Sequence, residues 1–94
     1  MKTLTRTRQA EVNAIRRAVK ILGGQQALAD LITHHEGRDV PLTQGAVSKW
    51  CTGAVRLPGE YVLSIEEWTG ERVTRYQLRR DLYPRPAAPA GSRK

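Results

Sequence analysis

Residues 43–53 read Thr-Gln-Gly-Ala-Val-Ser-Lys-Trp-Cys-Thr-Gly and carry the clearest helix signal in the chain. Thr43 is placed to cap a helix, because its hydroxyl can accept a hydrogen bond from a backbone N–H one turn ahead. Gly53 is placed to end the same helix in the left-handed conformation. Val47 and Trp50 are three residues apart and therefore share one face. The stretch predicts a helix over 44–52 whose apolar side packs into a hydrophobic core.

Apolar residues recur at helical spacing on both sides of this stretch. They predict a first helix over about 9–22, a second that starts at Gln25, and a fourth opened by Pro58. A short helical turn over Arg75–Leu78 follows. The second helix either runs on to about Glu36 or gives way to a looped turn before the third. Strand-like alternation is scarce, so the sequence predicts an all-α fold of four to five short helices.

The domain organisation follows from length and composition. The chain has 94 residues, enough for one domain. Residues 1–8 are polar and basic and are predicted to be a flexible arm, and residues 9–83 are predicted to be the helical domain. Residues 84–94 are predicted to be disordered, because a segment so rich in proline and alanine cannot pack a core. No apolar run approaches the ~20 residues that span a bilayer, and the basic N-terminus lacks the apolar stretch of a secretory signal.

The charge balance points to a polyanionic partner. Lysine and arginine total 16 against 9 aspartates and glutamates, a net charge of +7. Nucleic acid is favoured first and an anionic membrane second. A membrane partner is disfavoured, because the predicted helices are short and none is a long basic amphipath. The single cysteine, Cys51, allows no intramolecular disulfide and fits a reducing cytoplasm. We therefore expect a cytoplasmic protein that associates with the nucleoid.

The second and third helices have the three features that a helix-turn-helix needs. The second helix must begin with a polar residue, because its free N–H groups bind a phosphate there, and Gln25 fits. A small residue must lie inside that helix so that the third can cross closely, and Ala29 fits. The third helix must present a polar face opposite its buried side. Gln44, Ser48 and Lys49 form that face.

Several segments, taken in order, resemble one family of helix-turn-helix proteins. Residues 25–31 (Gln-Gln-Ala-Leu-Ala-Asp-Leu) together with 42–53 resemble the Cro/CI-type repressor fold. The later segments resemble the YdaS-like prophage regulators and antitoxins: 57–60 (Leu-Pro-Gly-Glu), 65–70 (Ile-Glu-Glu-Trp-Thr-Gly) and 73–81 (Val-Thr-Arg-Tyr-Gln-Leu-Arg-Arg-Asp). The resemblance covers roughly residues 15–83 and implies a lambda-repressor-like DNA-binding domain. Two places depart from the family: residues 32–41 lengthen its short turn, and Arg79-Arg80-Asp81 stands for its Arg-Pro-Asp.

The resemblance implies a DNA-reading site on the third helix. By position, base contacts in the major groove would come from Gln44, Gly45, Ser48 and Lys49. A glutamine amide can pair with adenine N6/N7 and a lysine favours guanine O6/N7, while Gly45 removes a side chain where the backbone approaches the DNA. Phosphate contacts are expected from Gln25, Gln26, Thr43, Arg56, Arg16 and Arg17, the last two as part of a basic N-terminal surface.

A dimer is expected on double-stranded DNA. A single short recognition helix reads few base pairs, so adequate specificity requires two copies on half-sites about one turn apart. We expect a homodimer whose interface lies between the fourth helix and the end of the domain, with contacts from Trp68, Tyr76, Leu82 and Tyr83. Trp68 fits a core position equally well, whereas Trp50 and Tyr61 are expected in the core.

The chain also contains residue types that occur in metal-binding and catalytic sites, but their pattern does not favour such a site. One cluster contains the metal-ligand types His34, His35, Glu36 and Asp39. Adjacent histidines on a helix point about 100° apart, so a solvated loop is expected there, with no metal and no cofactor. Glu66 and Glu67 are expected on a solvated helix face, and Cys51 lacks an obvious base. We therefore expect no enzymatic activity.

Two functions stay open at this point. The first is a sequence-specific transcriptional regulator, such as a repressor of a prophage promoter or of its own operon. The second is an antitoxin that acts mainly by binding a toxin partner protein. Preference for promoter DNA would indicate the first function, and a stable complex with another protein would indicate the second.

Overall fold

The computed structural model describes residues 4–37 and 41–83, and every regular element in these ranges is helical. The elements are α1 (Arg6–Leu22), α2 (Gln25–Glu36), α3 (Gln44–Thr52), a 3-10 turn (Gly59–Tyr61), α4 (Val62–Trp68) and α5 (Arg75–Leu78). The all-α class, with five helices, is thus confirmed. None of the described helices is long and apolar enough to cross a membrane. The predicted tail 84–94 and Asp39 lie outside the described residues.

Helix α1 begins at Arg6, three residues before the predicted start. Thr5 caps it, with its Oγ1 accepting from the backbone N–H of Arg8 at 3.1 Å. Leu4 is also fixed, because its side chain covers Gly53: a Cβ added at Gly53 would lie 2.8 Å from Leu4 Cδ1. The predicted flexible arm over residues 1–8 is therefore wrong for residues 4–8, which belong to the folded domain. The pattern missed this start because the first turn of α1 exposes polar side chains.

Helix α2 runs on to Glu36, which decides between the two alternatives for the long connection to α3. Gly37 ends the helix in the left-handed conformation, with φ of 62°. The chain returns to α2 before α3 starts: the backbone N–H of Leu42 donates to Thr33 Oγ1 at 2.9 Å. Thr33 in turn donates to the carbonyl of Ala29 at 2.8 Å. The added residues therefore extend α2 by a turn and leave the start of α3 anchored on its side.

The core lies where α3 crosses both α1 and α2, and α5 packs against another side of α1. Its buried side chains include Ile15, Leu28, Ile32, Val47, Trp50, Leu57, Val62, Ile65, Val73 and Leu78. Trp50 is 3 % exposed and packs against Tyr61 with ring centroids 5.6 Å apart, which confirms the core prediction for both. Because α3 is held on two sides, its remaining face is fixed in direction.

One carboxylate, that of Glu11, ties the two ends of the domain together. It is fully buried and accepts four hydrogen bonds. Three come from guanidinium groups: Arg8 Nη1 at 3.2 Å, and Arg56 Nε and Nη2 at 3.0 and 2.7 Å. The fourth comes from the backbone N–H of Arg80 at 3.2 Å. A buried charge is tolerated when it is paired and hydrogen-bonded in this way, so α1, the loop after α3 and the C-terminal segment are joined at one point.

A second ion pair holds the start of α5 and corrects a prediction. Glu66 was expected on a solvated face, but only 8 % of it is exposed. Its Oε1 lies 2.9 Å from Arg75 Nη2, and its Oε2 accepts from the backbone N–H of Arg75 at 3.2 Å. The hydrogen bonds to Glu66 raise the pKa of Arg75. Glu67 is exposed, as predicted. The periodicity of α4 does not indicate which of the two glutamates is buried, because the partner of Glu66, Arg75, lies beyond the end of this helix.

Candidate nucleic-acid interface

Helices α2 and α3 begin side by side. Gln25 and Gln44 are the first residues of their helices, and Gln44 Nε2 donates to Gln25 Oε1 at 3.3 Å. The free backbone N–H groups and the positive dipole end of each helix are therefore close to those of the other. Two such ends on one surface make a region that favours an anion such as a phosphate.

Helix α3 has one buried side and one exposed side. Val47, Trp50 and Cys51 are buried. The predicted base-contacting residues lie on the opposite side: Gln44, Gly45 and Lys49 are exposed and Ser48 is half-buried. The structure thus brings all four together on one helix, and none of them is packed into the core.

The fold itself gives no reason for the glycine at position 45. A Cβ there would meet only Thr43 Oγ1, at 3.7 Å, an ordinary contact distance. Its φ is not in the left-handed region, and glycine in a helix costs roughly 0.5–1 kcal/mol relative to alanine. By contrast, Gly53 has a φ of 84° and lies against Leu4. The absence of a side chain at Gly45 therefore fits a requirement outside this chain.

The capping residue and Gln26 have internal partners as well as exposed atoms. Thr43 Oγ1 accepts from the backbone N–H of Ala46 at 3.1 Å, as the sequence predicts, and its hydroxyl hydrogen stays available to an external acceptor. Gln26 Nε2 donates to Asp30 Oδ1 at 2.8 Å. A phosphate would therefore have to compete with a carboxylate for the side chain of Gln26.

Two cations flank α3 without a carboxylate partner among the described residues. Arg16 lies on α1, and its Nε donates to the carbonyl oxygen of Cys51 at 2.9 Å. That bond leaves the two terminal nitrogens of the guanidinium group for a ligand. Lys49 is exposed on α3 itself. The positive potential of this surface therefore comes from two side chains and from the two helix ends.

Two other predicted phosphate ligands lie in different surroundings. The charge of Arg56 is compensated by Glu11 and by Asp81, whose Oδ1 lies 3.3 Å from Arg56 Nη2. The hydrogen bond to Glu11 raises the pKa of Arg56. Arg17 donates to Gln77 Oε1 at 3.1 Å on the side of α1 that faces α5. The structure therefore does not group Arg56 and Arg17 with the residues of α2 and α3.

Cys51 is buried directly behind this surface and makes a contact that sequence reasoning missed. Burial raises the pKa of its thiol, while a hydrogen bond with the Gln25 side chain and the charge of Arg16 act in the opposite direction. The neutral thiol and Gln44 both contact Gln25, so this glutamine is held from two sides. The spacing of Cys51 in α3 places it on the side that faces α2, but only the crossing geometry brings it to Gln25.

The four residues predicted for a dimer interface contact other parts of their own chain. Trp68 is half-buried and meets His35 edge to face, with ring centroids 5.5 Å apart. Leu82 lies over Gly59 and is 48 % exposed, and Tyr83 lies 5.7 Å from the guanidinium carbon of Arg75. Tyr76 lines a groove between α1 and α5. The dimer itself stays a prediction. Within the described ranges, no three or more His, Cys, Asp or Glu residues are grouped so that they could hold a metal ion.

Comparison with known proteins gives one result. No curated protein and no solved structure matches the chain significantly. A family model described as bacterial toxin YdaS matches residues 15–87. Because this match covers well over half of the 94 residues, the chain belongs to the YdaS family.

Proposed function

We propose that the protein is a sequence-specific DNA-binding regulator of transcription that uses α2 and α3 as a helix-turn-helix of the Cro/CI type. The observation that carries this proposal is the geometry of α3. Its apolar side is buried while Gln44, Gly45 and Lys49 are exposed beside the start of α2. A helix held in this way fits the DNA major groove with its N-terminal residues at the base edges.

Base reading in this proposal starts at Gln44. Its amide can pair with adenine N6/N7, and its hydrogen bond to Gln25 holds the amide in one orientation. Lys49 lies further along the same face and would contact guanine O6/N7, and Ser48 would contact the bases between them. A good bidentate pair contributes about 1–3 kcal/mol of discrimination between bases. Gly45 allows the helix backbone to come close to the bases.

Phosphate binding would set the register of the protein on the duplex. The free N–H groups at the start of α2 and the hydroxyl of Thr43 can bind phosphate oxygens. Arg16 would hold the backbone at the other end of α3. Because one short helix reads few base pairs, a homodimer on two half-sites would complete the specificity. Bound over a promoter, such a dimer would repress by excluding polymerase, and no catalytic step is involved.

Selection of bound sites from random duplex DNA tests the proposal. We expect a short motif, repeated with two-fold symmetry, that the protein prefers over scrambled duplex at about 150 mM salt. Gln44→Ala should relax specificity at one motif position. Lys20→Ala serves as a control, since Lys20 is also exposed, lies on α1 and takes no part in the proposed interface. The proposal is overturned if the protein binds the selected and scrambled duplexes equally.

A second function is favoured by the description of the family as a bacterial toxin. In this alternative the chain is one member of a toxin–antitoxin pair and acts mainly by binding a partner protein. Co-expression with the product of the adjacent gene tests it. A stable complex that forms equally well with Gln44→Ala would favour the partner-binding role, and the absence of any complex would count against it.

A further inference from the structure

A groove of about 310 Å³ opens between α1 and α5. Its α1 side is formed by Ala10, Asn13, Ala14 and Arg17, and its α5 side by Tyr76, Gln77 and Arg80. The alanines leave a shallow apolar floor, and the walls carry two arginines and two amides. None of the proposed DNA contacts lies in this groove, and of its residues only Tyr76 was expected at the dimer interface.

The groove faces away from the recognition helix. Arg8 and Arg16 lie on the stripe of α1 that contacts α3, because they donate to the carbonyls of Gly53 and Cys51. A helix turns by about 100° per residue, so the stripe from Ala10 to Arg17 lies roughly 150° around α1 from that contact. A DNA duplex that receives α3 in its major groove would therefore not reach the groove with the same surface.

The two arginines of the groove differ from most others in the fold. Arg8, Arg56, Arg75 and Arg79 each pair with a carboxylate of this chain. Within the described part of the chain, neither Arg17 nor Arg80 does so. The hydrogen bond of Arg17 goes to the neutral amide of Gln77, and only the backbone N–H of Arg80 has a partner. Two guanidinium groups therefore border a concave surface with their charge uncompensated.

The placement of these two arginines on opposite walls of the groove fits an extended acidic peptide. Arg80 lies near the start of the groove, because its backbone N–H contacts Glu11, and Arg17 lies at the other end. Seven helical residues from Ala10 to Arg17 span about 10 Å. In an extended peptide, side chains three residues apart are separated by about 10 Å along the strand and point to opposite sides, so their carboxylates can reach Arg17 on the α1 wall and Arg80 on the opposite wall. Guanidinium groups match carboxylates in shape and charge, and Asn13 can hydrogen-bond the peptide backbone between them.

We propose that the groove between α1 and α5 binds an acidic segment of a partner protein, with carboxylates three residues apart held by Arg17 and Arg80. The amide nitrogen of Gln77 is free to donate to a peptide carbonyl, because its Oε1 already accepts from Arg17 and from the backbone N–H of Thr74. This site does not depend on the DNA-reading role, since it lies on the other side of α1. A partner bound there and a duplex bound at α3 can occupy the protein together.

Titration of the full chain with a defined peptide tests the proposal. The probe is a capped hexapeptide of alanines with two glutamates three positions apart, and the comparison peptide has glutamines in their place. We expect the glutamate peptide to shift the NMR amide signals of Asn13 and Gln77, with those of Gln44 unchanged. Arg17→Gln and Arg80→Gln should each weaken binding by about two- to fivefold, the effect of losing one good exposed ion pair. Lys20→Gln removes the same charge from α1 outside the groove and should leave the affinity unchanged.

Three results would overturn the proposal. The first is an equal response to the glutamate and glutamine peptides. The second is an equal loss of affinity in Lys20→Gln and Arg17→Gln, which would indicate non-specific attraction by net charge. The third is a set of shifts at Asn13 and Gln77 on addition of a DNA duplex in place of peptide, which would assign the groove to phosphate. A thermal melt of each variant checks that the exposed substitutions leave the domain folded.

Discussion

The substitution Gly45→Ala should stabilise the fold and weaken DNA binding at the same time. The added methyl group would meet only Thr43 Oγ1 at 3.7 Å, so the folded chain has room for it. Alanine is preferred over glycine in a helix by roughly 0.5–1 kcal/mol. For a domain of this size that gain raises the Tm by about 2–8 °C.

The loss of DNA affinity comes from the same methyl group. If the backbone of α3 approaches the bases at Gly45, the methyl group must be accommodated in a close-packed interface. Overpacking of this kind costs about 1–3 kcal/mol, which corresponds to a roughly 5- to 150-fold weaker Kd. The two effects have opposite signs, so general destabilisation cannot account for weaker binding.

Two measurements on the same preparations separate the effects. Urea unfolding followed by the fluorescence of the buried Trp50 gives the free energy of unfolding. Fluorescence anisotropy with a selected duplex gives the Kd. Ser64→Ala is the matched control, because it raises helix propensity in α4, away from the proposed interface, and should leave the Kd unchanged. If Gly45→Ala binds DNA as tightly as the natural sequence, the backbone of α3 does not approach the bases there, and the reasoning is refuted.

Two further predictions concern stability. Glu11→Gln should lower the free energy of unfolding by about 1–3 kcal/mol, because a neutral amide replaces a buried carboxylate that accepts four hydrogen bonds. The side chains of Arg8 and Arg56 are partly exposed and stay hydrated, which limits the loss. A loss below about 1 kcal/mol in urea unfolding would show that the network contributes little. Asp81 should make stability fall in acid, because hydrogen bonds from Arg79 hold its pKa at about 2, below the usual 3.8. The contribution of Asp81 to the free energy of unfolding is complete at a pH above the pKa of the unfolded state. It is lost as the pH falls through the pKa of the folded state. Since 38 % of the Asp81 side chain is exposed, the effect should be under about 1 kcal/mol. The free energy of unfolding of Asp81→Asn should be lower than that of the natural sequence at pH 7, and the two values should converge as the pH falls to 2.

The helix ends were predictable because their signals are local. Thr43 and Thr74 each accept from a backbone N–H three residues ahead. At Thr74 a capping box is completed, because its own backbone N–H donates to Gln77 Oε1. Gly53 adopts the left-handed conformation that only a few residues tolerate. A cap and the turn it starts lie within four residues of each other, so sequence alone brings them together.

The burial of Glu11 was not predictable, because two of its partners are distant in sequence. Glu11 reads as a solvated residue in a basic segment, and its burial depends on Arg56 and Arg80, which are 45 and 69 residues away. The same limit explains why Arg56 was expected on a phosphate. The position of Arg56 just after α3 is compatible with a contact to the DNA phosphate backbone. Only the folded chain shows that the carboxylates of Glu11 and Asp81 already pair with it.

The internal pairing also changes what the net charge of +7 means. Part of the arginine charge is compensated inside the fold, where Glu11, Glu66 and Asp81 form ion pairs with Arg8, Arg56, Arg75 and Arg79. The positive charge left without a partner among the described residues includes the pair beside α3 and the pair in the α1–α5 groove. An exposed cation that forms no internal ion pair contributes little to the stability of the fold. Its substitution should therefore change the free energy of unfolding only slightly. Neutralising either pair should therefore leave the Tm nearly unchanged. Loss of the pair beside α3 should weaken DNA binding only, and loss of the pair in the groove should weaken peptide binding only. Composition alone could not predict that the two effects are separate.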